Sequence, residues 1–254
     1  MNSSRITVVA GHYGSGKTEF AVNLALMLSK IKKKIALIDL DIANPYFRSR
    51  ERQGYLEERG IDVYSNAYKF DITQDLPAID SAIRMPLADP DCHVVLDVGG
   101  DDNGARVLNQ FKRFLNPEET ETLCVINSNR RETDKPEGAL KHLLQIEKET
   151  GIRVGGIVSN THMLRETTAE DIARGARVCK EVLEKLKAMG RNVPVKYLCC
   201  VRDLVDDFTK EYPKLALEQD LFPMKLYMRP KWLDFPVDSG GTAIKQYYPE
   251  KNKR

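Results

Sequence analysis

Several protein classes are excluded by what the chain lacks. Aromatic residues make up 7% of its 254 residues, and tryptophan occurs once. Lys+Arg number 39 against Asp+Glu 37, a formal net charge of +2. That balance gives no long-range attraction for DNA or for an anionic membrane. The most apolar helix-like stretch, 21–28, falls far short of the roughly 20 residues of a membrane span. The start of the chain, Met1-Asn2-Ser3-Ser4-Arg5, has no basic segment followed by an apolar core and a cleavage site, so no secretory signal is expected. The five cysteines form no C-x-x-C pair and no Cys/His cluster of zinc spacing. Cys92, Cys124 and Cys179 sit in or beside apolar runs, where a thiol behaves as a small hydrophobe. A reducing, cytoplasmic setting is expected. The vicinal pair Cys199-Cys200 reads as burial at a strand end, with a soft-metal site as the alternative. Repeats, low-complexity tracts and Gly/Ser linkers are all missing.

What is present is alternation. Short, almost continuously apolar runs occur at 6–10, 35–40, 93–98, 123–127, 154–159 and 193–200. Such runs predict parallel strands buried on both faces. Helical patterns lie between them at 17–30, 104–115, 135–150 and 169–189. In the last, Ile172, Ala176, Cys179, Leu183 and Leu186 draw one apolar stripe. Thr168 with Asp171 marks its start, and Gly190 its end. The order predicts an α/β fold: a doubly wound, mostly parallel sheet with helices on both faces, in three Rossmann-like layers. Residues 1–220 are read as one domain. From 221 the composition shifts to Pro223, Pro230, Pro236 and Pro249 among Phe222, Tyr227, Trp232, Phe235, Tyr247 and Tyr248. Residues 221–254 are therefore read as an extended segment packed on the same domain.

The most specific motif is Gly11-His12-Tyr13-Gly14-Ser15-Gly16-Lys17-Thr18, a complete G-x-x-x-x-G-K-[ST] between a strand and a helix. Glycines let backbone N–H groups converge on phosphate oxygens, and the helix N-terminus adds its positive end. Lys17 is expected at the β- and γ-phosphates, and the Thr18 hydroxyl on Mg²⁺. Asp97, closing the run Val94-Val95-Leu96 ahead of Val98-Gly99-Gly100, is the carboxylate such a site needs for its metal shell. The alternative is a turn-forming Asp before glycines.

The stretch Ile35-Ala36-Leu37-Ile38-Asp39-Leu40-Asp41-Ile42-Ala43-Asn44-Pro45 is an apolar strand ending in D-x-D. With the phosphate loop, it resembles the MinD/ParA/Mrp group of ATPases, which includes the nitrogenase iron protein, the carbon monoxide dehydrogenase accessory ATPase and the CobQ/CobB relatives. The resemblance runs over roughly residues 5–203. It implies that Asp41 orients the attacking water, that Asp39 supports the magnesium shell, and that Asn160 contacts adenine. It also implies that Arg202 and Asp203, in Val201-Arg202-Asp203, flank the base. No N-K-x-D string occurs, and Asn127-Ser128-Asn129-Arg130 lacks the guanine-reading Asp, which favours ATP. Strand-end capping stands as the plainer reading of Asp39, Asp41 and Asn160.

Many members of the group carry a second loop lysine that crosses a dimer to the partner's nucleotide. Here that position is His12, whose neutral ring supplies no permanent charge. A nucleotide-dependent homodimer is therefore in doubt, or another cation serves it, with Arg48, Arg50 and Arg130 as candidates. The expected activity is Mg-ATP hydrolysis driving a switch through 41–50 and 97–106. A protein is the expected partner, rather than nucleic acid or membrane. Metal-cofactor maturation, positioning or partition, ATP-dependent ligation, and nucleotide sensing without turnover all stay open as the output.

Overall fold

The computed structural model describes residues 4–40, 52–65, 77–99 and 102–228. Asp41, Arg48, Arg50 and Gly100, with residues 229–254, lie outside the described residues.

The apolar runs become strands of one sheet. β1 (Ile6–Gly11), β2 (Ile35–Asp39), β3 (Ile61–Ser65), β4 (His93–Asp97), β5 (Thr120–Ile126), β6 (Gly156–Ser159), β7 (Val195–Val201) and β8 (Leu221–Met224) lie in the order β3-β2-β4-β1-β5-β6-β7-β8. Every pairing is parallel. The expected α/β doubly wound fold is therefore the observed one. Two strands carry no strong signal in the sequence. β3 and β8 are the sheet edges, where half the ladder is unpaired and a continuous apolar run is not required. Pro223 sits in β8, where a missing N–H faces away from the ladder. The segment with the shifted composition thus begins as the eighth strand.

Between the strands run α1 (Lys17–Leu28), α2 (Gln53–Glu57), α3 (Pro77–Ala88), α4 (Asp102–Gln110), α5 (Pro136–Thr150), α6 (Ala169–Ala188), α7 (Val205–Glu211) and α8 (Pro213–Glu218). Alternation along the strands divides the core. Val9 and Val95 pack with Phe20, Leu24 and Leu28 of α1 on one face. Ile6, Val8, Val94 and Leu96 face α3 and α4. Cys124 and Ile157 meet α5 and α6 on that second face. Because α1 is covered by both the sheet and the chain after β8, it is buried almost all round, as an evenly apolar helix must be. The vicinal cysteines follow the same rule: Cys199 belongs to the α1 face and Cys200 to the α6–α7 face. Successive strand residues point oppositely, so the two thiols do not converge on one ion. Burial pushes Cys200 up to about 12.

α6 shows the local logic at its clearest. Thr168 and Asp171 form a reciprocal capping box, and Gly190 takes φ +76° just past the end. Its one interior glycine, Gly175, is a packing requirement. A Cβ there would stand 2.0 Å from Thr161 Oγ1 and 2.5 Å from Thr161 Cβ. Gly175→Ala is expected to destabilise the fold despite a helix-propensity gain of about 1 kcal/mol, because overpacking costs roughly 1–3 kcal/mol. Urea unfolding that left the midpoint unchanged or raised would refute this.

Candidate functional site

In an all-parallel sheet every strand ends on the same edge, and β1 lies between β4 and β5, where the winding reverses direction. Crevices for ligands form outside the strand ends at such a point. The phosphate loop leaves β1 there. Gly14 and Gly16 take φ +74° and +79°, conformations that favour glycine. Gly11 is needed for space, since a Cβ would meet Ser15 Oγ and the Val125 carbonyl at 2.6 Å. Gly16 caps α1 with no side-chain acceptor, so the first-turn N–H groups stay available to an anion. Ser15 Oγ is buried without a hydrogen-bond partner. Such an orphan is expected in a loop shaped around a missing group.

Lys17 and Thr18, at the start of α1, are both buried. The Thr18 hydroxyl donates to Asp97 Oδ2 at 2.6 Å, and Asp97 is fully buried. Asp39 ends β2 in direct register with Asp97 on β4, and it too is buried. One hydroxyl and two carboxylates are thus gathered beside the loop, a hard oxygen set suited to Mg²⁺. Asp41, expected to orient water, lies outside the described residues.

Tyr13 is exposed. His12 turns toward α5: its ring lies 4.3 Å from the His142 ring, and its Nδ1 stands 2.9 Å from the Tyr13 carbonyl. Asn160, expected at the base, donates from Nδ2 to the Ser15 carbonyl at 2.8 Å, so it also braces the phosphate loop. A cavity of about 130 Å³ opens beside it, walled by the loop, by Ile172 of α6, by Cys199–Val201 and by Met224, Leu226 and Met228. Arg202 and Asp203 occupy a short 3₁₀ turn after β7 and do not line this cavity; Arg202 borders a separate groove with Tyr227 and Lys225.

Three features had no clear sequence signal. Asn127, fully buried, donates to the carbonyls of Gly14 and His162 and accepts from the N–H groups of Asn129 and His162. Glu19, one residue after Thr18, accepts from the N–H groups of Tyr227 at 2.5 Å and Met228 at 3.1 Å. Asn23 pairs with both backbone groups of Lys225. Together they fasten 225–228 over α1, giving the cavity its outer wall. Burial raises Glu19 to about 7, against the opposing pull of those N–H groups and of Arg52. The third is His162. Burial, with the nearby Arg130 guanidinium, lowers its ring to about 4, so it is neutral near pH 7. The Ser15 carbonyl is near enough to oppose that shift, yet His162 Nε2 makes no hydrogen bond of good geometry.

A family model described as the CobQ/CobB/MinD/ParA nucleotide binding domain matches residues 6–208. No curated protein matches the chain. Among solved structures the fold is similar to chloroplast FtsY from Physcomitrella patens, at 17% identity and TM-score 0.50, covering 77% of this chain and 58% of that one. It is also similar to cell division protein FtsY from Thermotoga maritima, at 22% identity and TM-score 0.48, covering 77% and 61% respectively. The chain therefore spans about three fifths of the length of these structures, and the likeness is one of fold alone.

The depressed His162 pKa has a consequence for acid stability. A histidine lowered from 6.5 to about 4 on folding contributes stability that is complete above pH 6.5 and lost as pH falls toward 4. Glu19, raised to about 7, contributes the opposite slope over the same window, so the measurement is a difference: as pH falls, the unfolding free energy of the wild type is expected to drop relative to that of His162→Gln. Equal slopes would contradict the assignment.

Proposed function

This chain is a member of the CobQ/CobB/MinD/ParA nucleotide-binding family, and from that premise we propose that it binds and hydrolyses Mg-ATP, using the nucleotide state as a conformational switch. The observation that carries the reading is the 2.6 Å Thr18–Asp97 hydrogen bond at the head of an uncapped helix, with Asp39 in register alongside. Thr18, Asp97 and Asp39 would hold magnesium. When bound, the ion neutralises charge across the β- and γ-phosphates.

The chain's own groups do the rest. The first-turn N–H groups of α1 and the Lys17 ammonium fix the phosphate chain and stabilise charge that grows on it. Asp41 is assigned to orient the attacking water, so that nucleophile and phosphorus meet without a search. Asn160 keeps the loop in place from behind. The cavity beside it supports adenine over guanine. Guanine presents additional donors, including its N2 amine, and calls for an acidic acceptor. The one carboxylate in the described cavity wall, Glu19, is already taken by the backbone of Tyr227 and Met228.

The switch is assigned to 41–50 and 97–106, which follow the strands bearing Asp39 and Asp97. Its target is read as another protein, because a net charge of +2 gives no general attraction to nucleic acid. No helix among the described residues is long and apolar enough to cross a membrane. Maturation or insertion of a metal cofactor, as the family resemblance implies, is the form of output proposed for that partner.

Titration calorimetry and phosphate release test this directly. Lys17→Ala is expected to weaken Mg-ATP binding by at least about 100-fold. Asp41→Ala is expected to keep binding and lose turnover by about the same factor. Asp97→Asn is expected to remove most of the gain in affinity that Mg²⁺ brings. Tighter binding of GTP than of ATP, or normal turnover by Asp41→Ala, would overturn the corresponding assignment. Metal analysis of whatever co-purifies with Asp41→Ala checks the proposed output.

A further inference from the structure

The loop after β5 carries an arginine for which the fold itself has little use. Arg130 Nε donates to the Gly14 carbonyl at 3.1 Å. That carbonyl also accepts from Asn127 Nδ2 at 3.1 Å, so the loop is braced there without the guanidinium. Its position is close: a Cβ on Gly14 would stand 2.6 Å from Arg130 Nε and 3.1 Å from Nη2. It also lines the cavity, and its charge is felt at His162.

The guanidinium is exposed and stands where positive charge already gathers, a setting that favours an anion as its partner. The loop already holds the Lys17 ammonium and the positive end of α1. Among the described residues no carboxylate pairs with Arg130, and the one hydrogen bond it makes to them leaves its other donors open to solvent or to an anion. Nor is its position accidental. Arg130 N–H closes a turn on the Asn127 carbonyl, and Thr133 N–H bonds back to Arg130. Ser128 is held by Thr161 and Arg174, and Asn129 by Asp171. A cation is thus presented on a rigid loop, by the same chain that forms the phosphate loop.

We infer that Arg130 is a phosphate-contacting cation acting in cis: its guanidinium binds the polyphosphate of the nucleotide lying in the Gly11–Thr18 loop of its own subunit. It faces the loop from the same subunit, whereas the His12 ring is turned against His142. This rests on the nucleotide-binding reading above and adds to it a residue and a direction. Arg130 needs no second subunit to reach the site.

The test compares Arg130→Gln and Arg130→Lys with the wild type. Gln retains a donor for the Gly14 carbonyl and loses the charge; Lys retains the charge. Mg-ATP affinity is expected to fall by about 10- to 50-fold in Arg130→Gln and by much less in Arg130→Lys. The salt dependence of binding is expected to weaken only in Gln. Turnover per subunit is expected to be independent of protein concentration. Mixing Arg130→Gln with Lys17→Ala is expected to give no more activity than the two measured apart. Wild-type affinity in Arg130→Gln would overturn the assignment, and recovered activity in the mixture would overturn its direction. A wild-type chain that bound no nucleoside triphosphate would remove the underlying reading as well, which separates the two failures.

Discussion

The carboxamide of Asn127 is the joint on which the site depends. It lies at the end of β5, beside β1 at the reversal of the sheet, and all four of its hydrogen-bonding positions are used. Through them one buried side chain fixes the phosphate loop at Gly14, the turn carrying Arg130, and the turn after β6 carrying Asn160 and His162. Inside a protein such a satisfied network is rigid, whereas a half-satisfied one is costly. The three loops consequently have a common reference. Displacing one would orphan groups on the other two.

Around that joint the site has two ends, built from different materials. At the metal end are hard oxygens on regular elements: Asp39 and Asp97 on adjacent strands in register, and Thr18 on the first turn of α1. Their placement follows from the parallel ladder and does not depend on loop conformation. At the cavity end the walls are soft and assembled from distant pieces, with Leu164 from the turn after β6, Cys199 from β7 and Met224 from β8. The first end is the one proposed to take phosphate and cation. The second is closed by a segment, 225–228, that is held by Glu19 and Asn23 of α1. Because Glu19 follows Thr18 directly, the residues proposed to hold phosphate and one of the two that hold the outer wall share the first turn of α1.

These differences decide what the sequence reveals. The phosphate loop and the strand-end Asp97 are contiguous strings whose chemistry forces their spacing, so they can be read from residues alone. The central strands are equally plain, since burial on both faces leaves a continuous apolar run. The edge strands β3 and β8 lack that run, and neither is evident. Asn127 is invisible for another reason. Its partners lie at residues 14, 129 and 162, and nothing in Asn127-Ser128-Asn129 distinguishes a hub from an ordinary polar turn. Glu19 is likewise hidden, because a Glu in the first turn of a helix is already explained by the helix dipole. Its binding of Tyr227 and Met228 appears only when the chain returns more than 200 residues later.

His12 shows how the two kinds of information combine. The sequence identifies it as a departure from the family, at a position where a lysine would cross to a partner. The structure gives the departure a physical form: the ring is engaged with His142 of its own α5, and Arg130 stands over Gly14 from the same chain. Around one loop the structure thus sets a histidine turned away against α5 and a guanidinium turned toward it. A lysine reaching across a dimer makes completion of the site conditional on association. On the assignment proposed for Arg130, an arginine mounted on an intrachain turn removes that condition: the cation and the loop it faces belong to one subunit, so the site needs no association to be complete.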